Sequence, residues 1–190
     1  MADFPGAVYD PREKENKASV VYNPAKKTIL FVEDITKLED EVVAIETNII
    51  ETSRVRVFLD TANQEIPASE ETKVLFNAKS FDTNTEFDIV TNHRFVAKKA
   101  GYYKVNAEIH WVDTVNLKTY EIRIKKNGSV IDHSTVVAAG AGEKTTRCND
   151  LVYLAVGNYI EIFVYHNAVS SAYITFGTTH NHLVIAKQIG

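Results

Sequence analysis

Hydrophobic positions change period once along this chain, and the change divides it. Ile35, Leu38, Val42, Ile45, Ile49 and Thr52 are spaced 3, 4, 3, 4 and 3 apart, which is the a/d seam of a coiled coil. The spacing predicts a helix over 34–52, with Asp34 as its N-cap and Lys37 and Glu41 one turn apart. Such a rod is about 27 Å long, and so short a helix is marginal in water on its own. Glu39, Asp40, Glu46 and Asn48 fill the other faces, so the apolar stripe is narrow, as a seam between helices requires. Its residue types leave two and three strands open. The competing expectation is one amphipathic helix lying on its own domain.

From Arg54 the period becomes two. Val55 and Val57 alternate with arginines, and Thr72-Lys-Val-Leu-Phe76 follows a loop holding Pro67. Tyr103, Val105, Ala107, Ile109 and Trp111 share one face of a strand, with Lys104, Asn106, Glu108 and His110 on the other. Tyr120, Ile122 and Ile124 repeat the pattern before Asn127-Gly128, a two-residue turn signal. Segments 151–156, 159–165, 172–176 and 182–187 continue it. Short strands at this spacing predict an all-β antiparallel sandwich or barrel.

Two of these segments are apolar on both faces. Leu151, Tyr153 and Ala155 oppose Val152, Leu154 and Val156, while Tyr159, Phe163 and Tyr165 oppose Ile160, Ile162 and Val164. An antiparallel strand with water on one side does not read this way. Either a second layer or a neighbouring subunit must cover the outer set. Aromatic side chains are favoured between subunits, so Tyr103, Tyr153, Tyr159, Phe163 and Tyr165 are expected at an interface.

Residues 1–33 lack periodicity and hold Pro5, Pro11 and Pro24. Their apolar runs Ser19-Val20-Val21-Tyr22 and Thr28-Ile29-Leu30-Phe31-Val32 need a partner to form strands. A solvated tail rarely carries Tyr22, Ile29, Leu30 and Phe31, so these are expected to anchor the chain on a larger body; a mobile tail is the alternative. The chain thus divides into an anchor (1–33), a coiled-coil stalk (34–53) and a β-domain (54–190).

The 190 residues, 45% hydrophobic and 24% charged, suffice for one cored domain with appendages. A formal charge of −4 is unlike the basic footprint of a nucleic-acid binder. No segment reaches the roughly 20 apolar residues that cross a bilayer, so no membrane insertion is expected. The opening Met-Ala-Asp-Phe-Pro-Gly has neither the basic nor the apolar run of a secretory signal. Cys148 is the single cysteine, which excludes an intrachain disulfide and suits a reducing compartment.

Candidate chemistry is sparse. His180 and His182 share a strand face, and convergence on a symmetry axis would let them bind a metal, although two histidines without a third ligand are more often interface polar groups. Asp82, Asn84, Glu86 and Asp88 alternate as the ligands of a calcium loop do, but Phe87 and His93 stand where an EF-hand needs Gly and Glu. Asn127-Gly128-Ser129 matches a glycosylation sequon at a turn, and Ala138-Ala-Gly-Ala-Gly142 lacks the ending of a phosphate loop. No catalytic motif emerges, so neither enzyme activity nor a cofactor is expected.

Thr72-Lys-Val-Leu-Phe76, Phe81-Asp82, Phe95, Gly101-Tyr102-Tyr103, Asn127-Gly128, Leu154-Ala-Val-Gly157-Asn-Tyr-Ile160 and Phe176-Gly177 together resemble the globular head of complement component 1q, whose jelly roll is shared with the tumour necrosis factor ligands. The resemblance covers about residues 54–190. Asn158 stands where that family usually has Asp, and His182-Leu-Val-Ile replaces its aromatic-Leu-Leu closing strand. It implies a ten-stranded, two-sheet jelly roll assembled as a homotrimer behind an N-terminal stalk. Residues Val55-Arg-Val-Phe-Leu-Asp-Thr-Ala-Asn-Gln64 and the N-terminal segment resemble bacteriophage structural proteins that carry such heads. What this implies is a virion protein made in the bacterial cytoplasm, with the anchor on a capsid or tail protein. The head would attach to a cell-surface glycan or protein, or stabilise the particle. A particle-associated glycan-cleaving enzyme and a bacterial surface adhesin are the alternatives.

Overall fold

The computed structural model describes residues 36–44 and 52–188 with their side chains, and the backbone of 20–23 and 28–31. The chain forms two compact units, residues 1–50 and 51–190. In the first, β1 (Val20–Asn23) and β2 (Thr28–Phe31) pair antiparallel, with Tyr22 opposite Ile29 and Val21 opposite Leu30. The two apolar runs of the anchor are therefore each other's partner. A helix, α1, covers residues 36–44. Leu38 and Val42 of the predicted seam are exposed on it, as is every other residue of this helix. Ile35, Ile45 and Ile49 lie outside the described residues. Thr52 corrects the seam's last position: it is not helical, is buried in the second unit, and its carbonyl accepts from Thr83 Oγ1 at 3.0 Å.

The second unit contains β3 (Arg54–Phe58), β4 (Gln64–Ile66), β5 (Thr72–Lys73), β6 (Ala78–Asp82), β7 (Phe87–Asp88) and β8 (Arg94–Val96). These are followed by β9 (Gly101–Thr114), β10 (Thr119–Lys126), β11 (Ser129–Val137), β12 (Gly142–Leu154), β13 (Tyr159–His166), β14 (Ala172–Ile174) and β15 (His182–Lys187). One sheet runs β11-β10-β13-β8-β7 with β5 also on β13; the other runs β4-β14-β9-β15-β3-β6 with β12 also on β9. Every described strand pair is antiparallel. The chain crosses between the sheets repeatedly, as in a jelly roll.

The core lies between the sheets. From β9 it takes Tyr103, Val105, Ala107, Ile109 and Trp111, the face the alternation singled out, and it meets Ile122, Ile124, Ile160, Ile162 and Val164 from the other sheet. Burying one large side chain of this kind contributes about 1.5–3 kcal/mol. Trp111 packs edge-on against Tyr120 and His166 and donates from Nε1 to Thr146 Oγ1 at 3.1 Å, so its one polar atom is satisfied.

Two motif glycines have a steric reason. Gly101 opens β9 at φ +152°. Gly157 sits at φ +85° in the β12–β13 turn and donates to Ala97 O. Side chains other than Gly adopt such dihedrals at a cost. Among the described residues no helix is long and apolar enough to cross a membrane.

Candidate assembly surface

The outer faces of the two sheets hold four of the five candidate residues for a head interface. Tyr103 corrects the expectation: its side chain is 0% exposed, packs against Phe95, and donates from Oη to Lys99 O at 2.7 Å. It is a core residue of a single subunit. Adjacent tyrosines on a strand face opposite ways, so it is Tyr102 that faces out.

On the six-stranded sheet, the outward side chains of β13 are Tyr159, Glu161, Phe163 and Tyr165. Each is covered by the chain itself. The Arg94 guanidinium lies 4.3 Å from the Tyr159 ring centre, Lys125 and Lys73 lie 4.1 and 5.7 Å from that of Phe163, and Arg123 lies 5.5 Å from that of Tyr165. Anions hold three of these four cations in place. Arg123 pairs with Glu121 and Glu71 at 2.8 Å each, Lys125 with Glu71, and Lys73 with Glu161. Burial works against the Glu71 charge, but hydrogen bonds from Lys125 and Arg123 hold its carboxyl below the usual carboxylate range. The second apolar face of β13 is thus roofed by cation–π and ion-pair contacts.

The seven-stranded sheet differs. Register places side chains on its outer face in rows, since cross-strand partners share a face. Tyr102 pairs with Tyr153; Lys104 lies between Leu151 and Ala186; Asn106 between Asn149 and Val184; Glu108 between Arg147 and His182; His110 beside Thr145. At one end Tyr102 and Tyr153 meet edge to face at 5.4 Å. They and Leu151 remain 58%, 50% and 58% exposed, with no charged roof. In the middle Arg147 pairs with Glu108 at 2.5 Å, and Arg56 donates to Ser80 Oγ and Thr178 O. At the far end His110 touches Thr145 Oγ1 at 3.1 Å and Glu143 at 3.3 Å, and its ring lies 5.0 Å from that of His180.

His182 sits in the middle row. Its Nδ1 is buried, and no described residue offers it a partner. Desolvation lowers its pKa; Glu108 and a hydrogen bond with the His180 backbone oppose this, whereas Arg56 and Arg147 add to it. The ring of His180 thus neighbours that of His110, whereas His182 lies in register with Glu108. Among the described residues no three His, Cys, Asp or Glu side chains are grouped to hold a metal ion.

The acidic run is committed to backbone donors. Asp82 accepts from the N–H groups of Glu86 and Phe87, Asp88 from those of Val90, Thr91 and Asn92, and Glu86 from Ser53 Oγ and Lys98 N–H. These are turn-capping roles. Cys148 is buried and donates to Asp132 at 3.0 Å; burial first, then the Asp132 hydrogen bond, push its thiol up to about 12, so it stays protonated.

At the end of β9 remote from Ser53, where the chain joins β3, three loops adjoin. Leu117 N–H donates to Ala138 O and Asn167 N–H to Thr119 O, and Leu117, Val137 and Val169 are exposed around them.

No protein-family model matches the chain, and neither does any curated protein. Solved structures do. The chain is similar to Eiger TNF from S. frugiperda (8% identity, TM-score 0.53, 73% of this chain and 93% of that one). It is similar to murine APRIL (10%, 0.56, 73% and 100%) and to the globular domain of zebrafish complement 1qA protein (15%, 0.56, 73% and 98%). The β-domain is a jelly roll of the tumour necrosis factor and complement 1q kind. Within this jelly roll the Tyr102, Leu151 and Tyr153 cluster of the seven-stranded sheet is exposed in the single chain.

Proposed function

We propose that the protein is a trimeric bacteriophage structural subunit, a head or tail fibre or decoration protein, that displays its jelly roll for host attachment or particle stabilisation. The observation that carries the assembly reading is the uncovered cluster of Tyr102, Leu151 and Tyr153. Two tyrosines and a leucine held rigidly on paired strands form the kind of aromatic core that subunit contacts use, and a second copy would remove them from water. The seam residues Leu38 and Val42, exposed on α1, support a joined stalk. The virion setting rests on the resemblance of residues 55–64 and the N-terminal segment to phage structural proteins.

A trimer acts by avidity. Three copies of one weak loop contact to a surface glycan or protein multiply through effective concentration, and the loops bearing Leu117 and Val169, with the end of β11 at Val137, are the exposed candidates. A non-enzymatic role is supported by the acidic pair Glu71 and Glu121, which Arg123 bridges; a glycosidase needs its carboxylates free on either side of a sugar.

Light scattering at micromolar concentration tests the assembly. The expected mass is three times the 21.3 kDa of the chain; a monomer sinks the reading. Deleting residues 1–30 is expected to abolish incorporation into particles while leaving the protein soluble, and normal incorporation would refute the anchor.

A further inference from the structure

We propose that the head carries a preformed apolar knob, centred on Leu117, that docks into an uncharged pocket of a protein on the target surface. The proposal rests on the display reading above and names the partner class of its exposed loops. Leu117 is the third residue of a β-turn closed by the Lys118 N–H on Val115 O, and its φ is +60°. That place in a turn favours Gly or Asn, because a Cβ there crowds the backbone. Leu117 is nevertheless 75% exposed, so neither local conformation nor burial in the chain accounts for a leucine.

Hydrogen bonds tie the tip together. Leu117 N–H donates to Ala138 O at 2.7 Å, and Ala138 N–H to Lys118 O at 2.9 Å. Val115 N–H donates to Tyr120 Oη at 2.8 Å, and Thr119 N–H to Asn167 Oδ1 at 2.7 Å. A knob held this way has little freedom left to lose on docking. Stretches 115–117, 137–142 and 167–172 hold no acidic, basic or aromatic residue, in a chain that is 24% charged. Val137 and Val169 are 57% and 87% exposed there, with Asn116, Ser170 and Ser171 beside them in sequence. The chemistry of the partner follows. Without a cation these stretches offer no clamp for an acidic sugar or a lipid phosphate. Without an aromatic ring they have neither a stacking platform nor a membrane-interface anchor. Aliphatic side chains with a rim of small polar ones match an apolar pocket in a protein. The knob also lies at the end of β9 opposite Tyr102, which is the end nearer Ser53, so a subunit contact through the tyrosine cluster leaves it free.

The test uses the full chain and, as probe, a displayed library of disulfide-closed random peptides. Expected are peptides with apolar or aromatic centres whose dissociation constants rise at least about tenfold on Leu117→Asn. The same peptides keep their affinity for Val156→Thr, a change at another exposed apolar position (66%). Asparagine suits the left-handed turn, so Leu117→Asn is also expected to raise the denaturation midpoint; a lower midpoint overturns the proposal, because the leucine then serves the fold. Failure to enrich any peptide, or peptides indifferent to Leu117→Asn, overturns the knob. Leu117-dependent binding to a neutral glycan array or to phosphatidylglycerol vesicles, with no Leu117-dependent peptide, overturns the partner class. A doubled trimer mass that Leu117→Asn halves makes the partner a second copy and overturns it as well. A monomer that still binds Leu117-dependent peptides overturns the trimer and leaves the knob standing.

Discussion

On β13 the outward rings of Tyr159, Phe163 and Tyr165 lie under Arg94, Lys73, Lys125 and Arg123, whereas on β9 and β12 Tyr102 and Tyr153 have chiefly each other. Both strands, β12 and β13, carry the same signal of apolar residues on two faces. The difference lies in what the neighbouring strands project. Beside β13, β10 offers Arg123 and Lys125 in register with Phe163 and Glu161, and Glu71 ties both cations down. Beside β12, β9 offers Tyr102, Lys104 and Asn106, too few long cations to close a roof. An apolar outer face therefore signals an interface only where its own sheet leaves it bare.

The comparison breaks most readily at Tyr103, which separates core from surface. Tyr103→Ala is expected to cost the head about 3–5 kcal/mol of stability, read by urea denaturation. A loss under about 1 kcal/mol would move Tyr103 out of the core. Leu151→Asp is expected to leave folding within about 0.5 kcal/mol but to weaken assembly by about 2 kcal/mol or more, as at a hot spot. A trimer of unchanged affinity in sedimentation would place the contact elsewhere.

Phe163→Ala sharpens the other side. It removes a ring that two lysines cover, and a stability loss of about 1 kcal/mol with no change in assembly is expected. Loss of the trimer would show that β13 is an interface after all. The smallest effect belongs to Glu71→Gln, which leaves Arg123 and Lys125 without their shared anion. As these groups are partly exposed, the loss is at most about 1 kcal/mol and shrinks in salt. Because the Glu71 carboxyl is held below its ordinary 4.5, its contribution is present above that pH and drains as pH falls through the acid range. The wild type and the variant should therefore converge in denaturation midpoint at low pH, and a gap that persists would assign the effect to packing.

Sequence alone determined the alternation of β9, with Tyr103 to Trp111 on one face, because a strand's period of two needs no partner to be read; that Tyr103 lies in the core and not at an interface was decided by the tertiary structure. Sequence also placed the turns, since Gly157 and Asn127-Gly128 are demanded by local backbone geometry. Thr52 marks the limit of such reading: it continues a spacing of three and four, yet the tertiary structure buries it beside Thr83, and a spacing cannot report where a chain is captured by its neighbour. Which apolar face stays bare was likewise decided only by tertiary structure. Glu71 and Arg123 are 52 residues apart in sequence, and Tyr102 meets Tyr153 across a pairing of distant strands. Covering a surface is a matter of which side chains reach it in space, and no local periodicity carries that information.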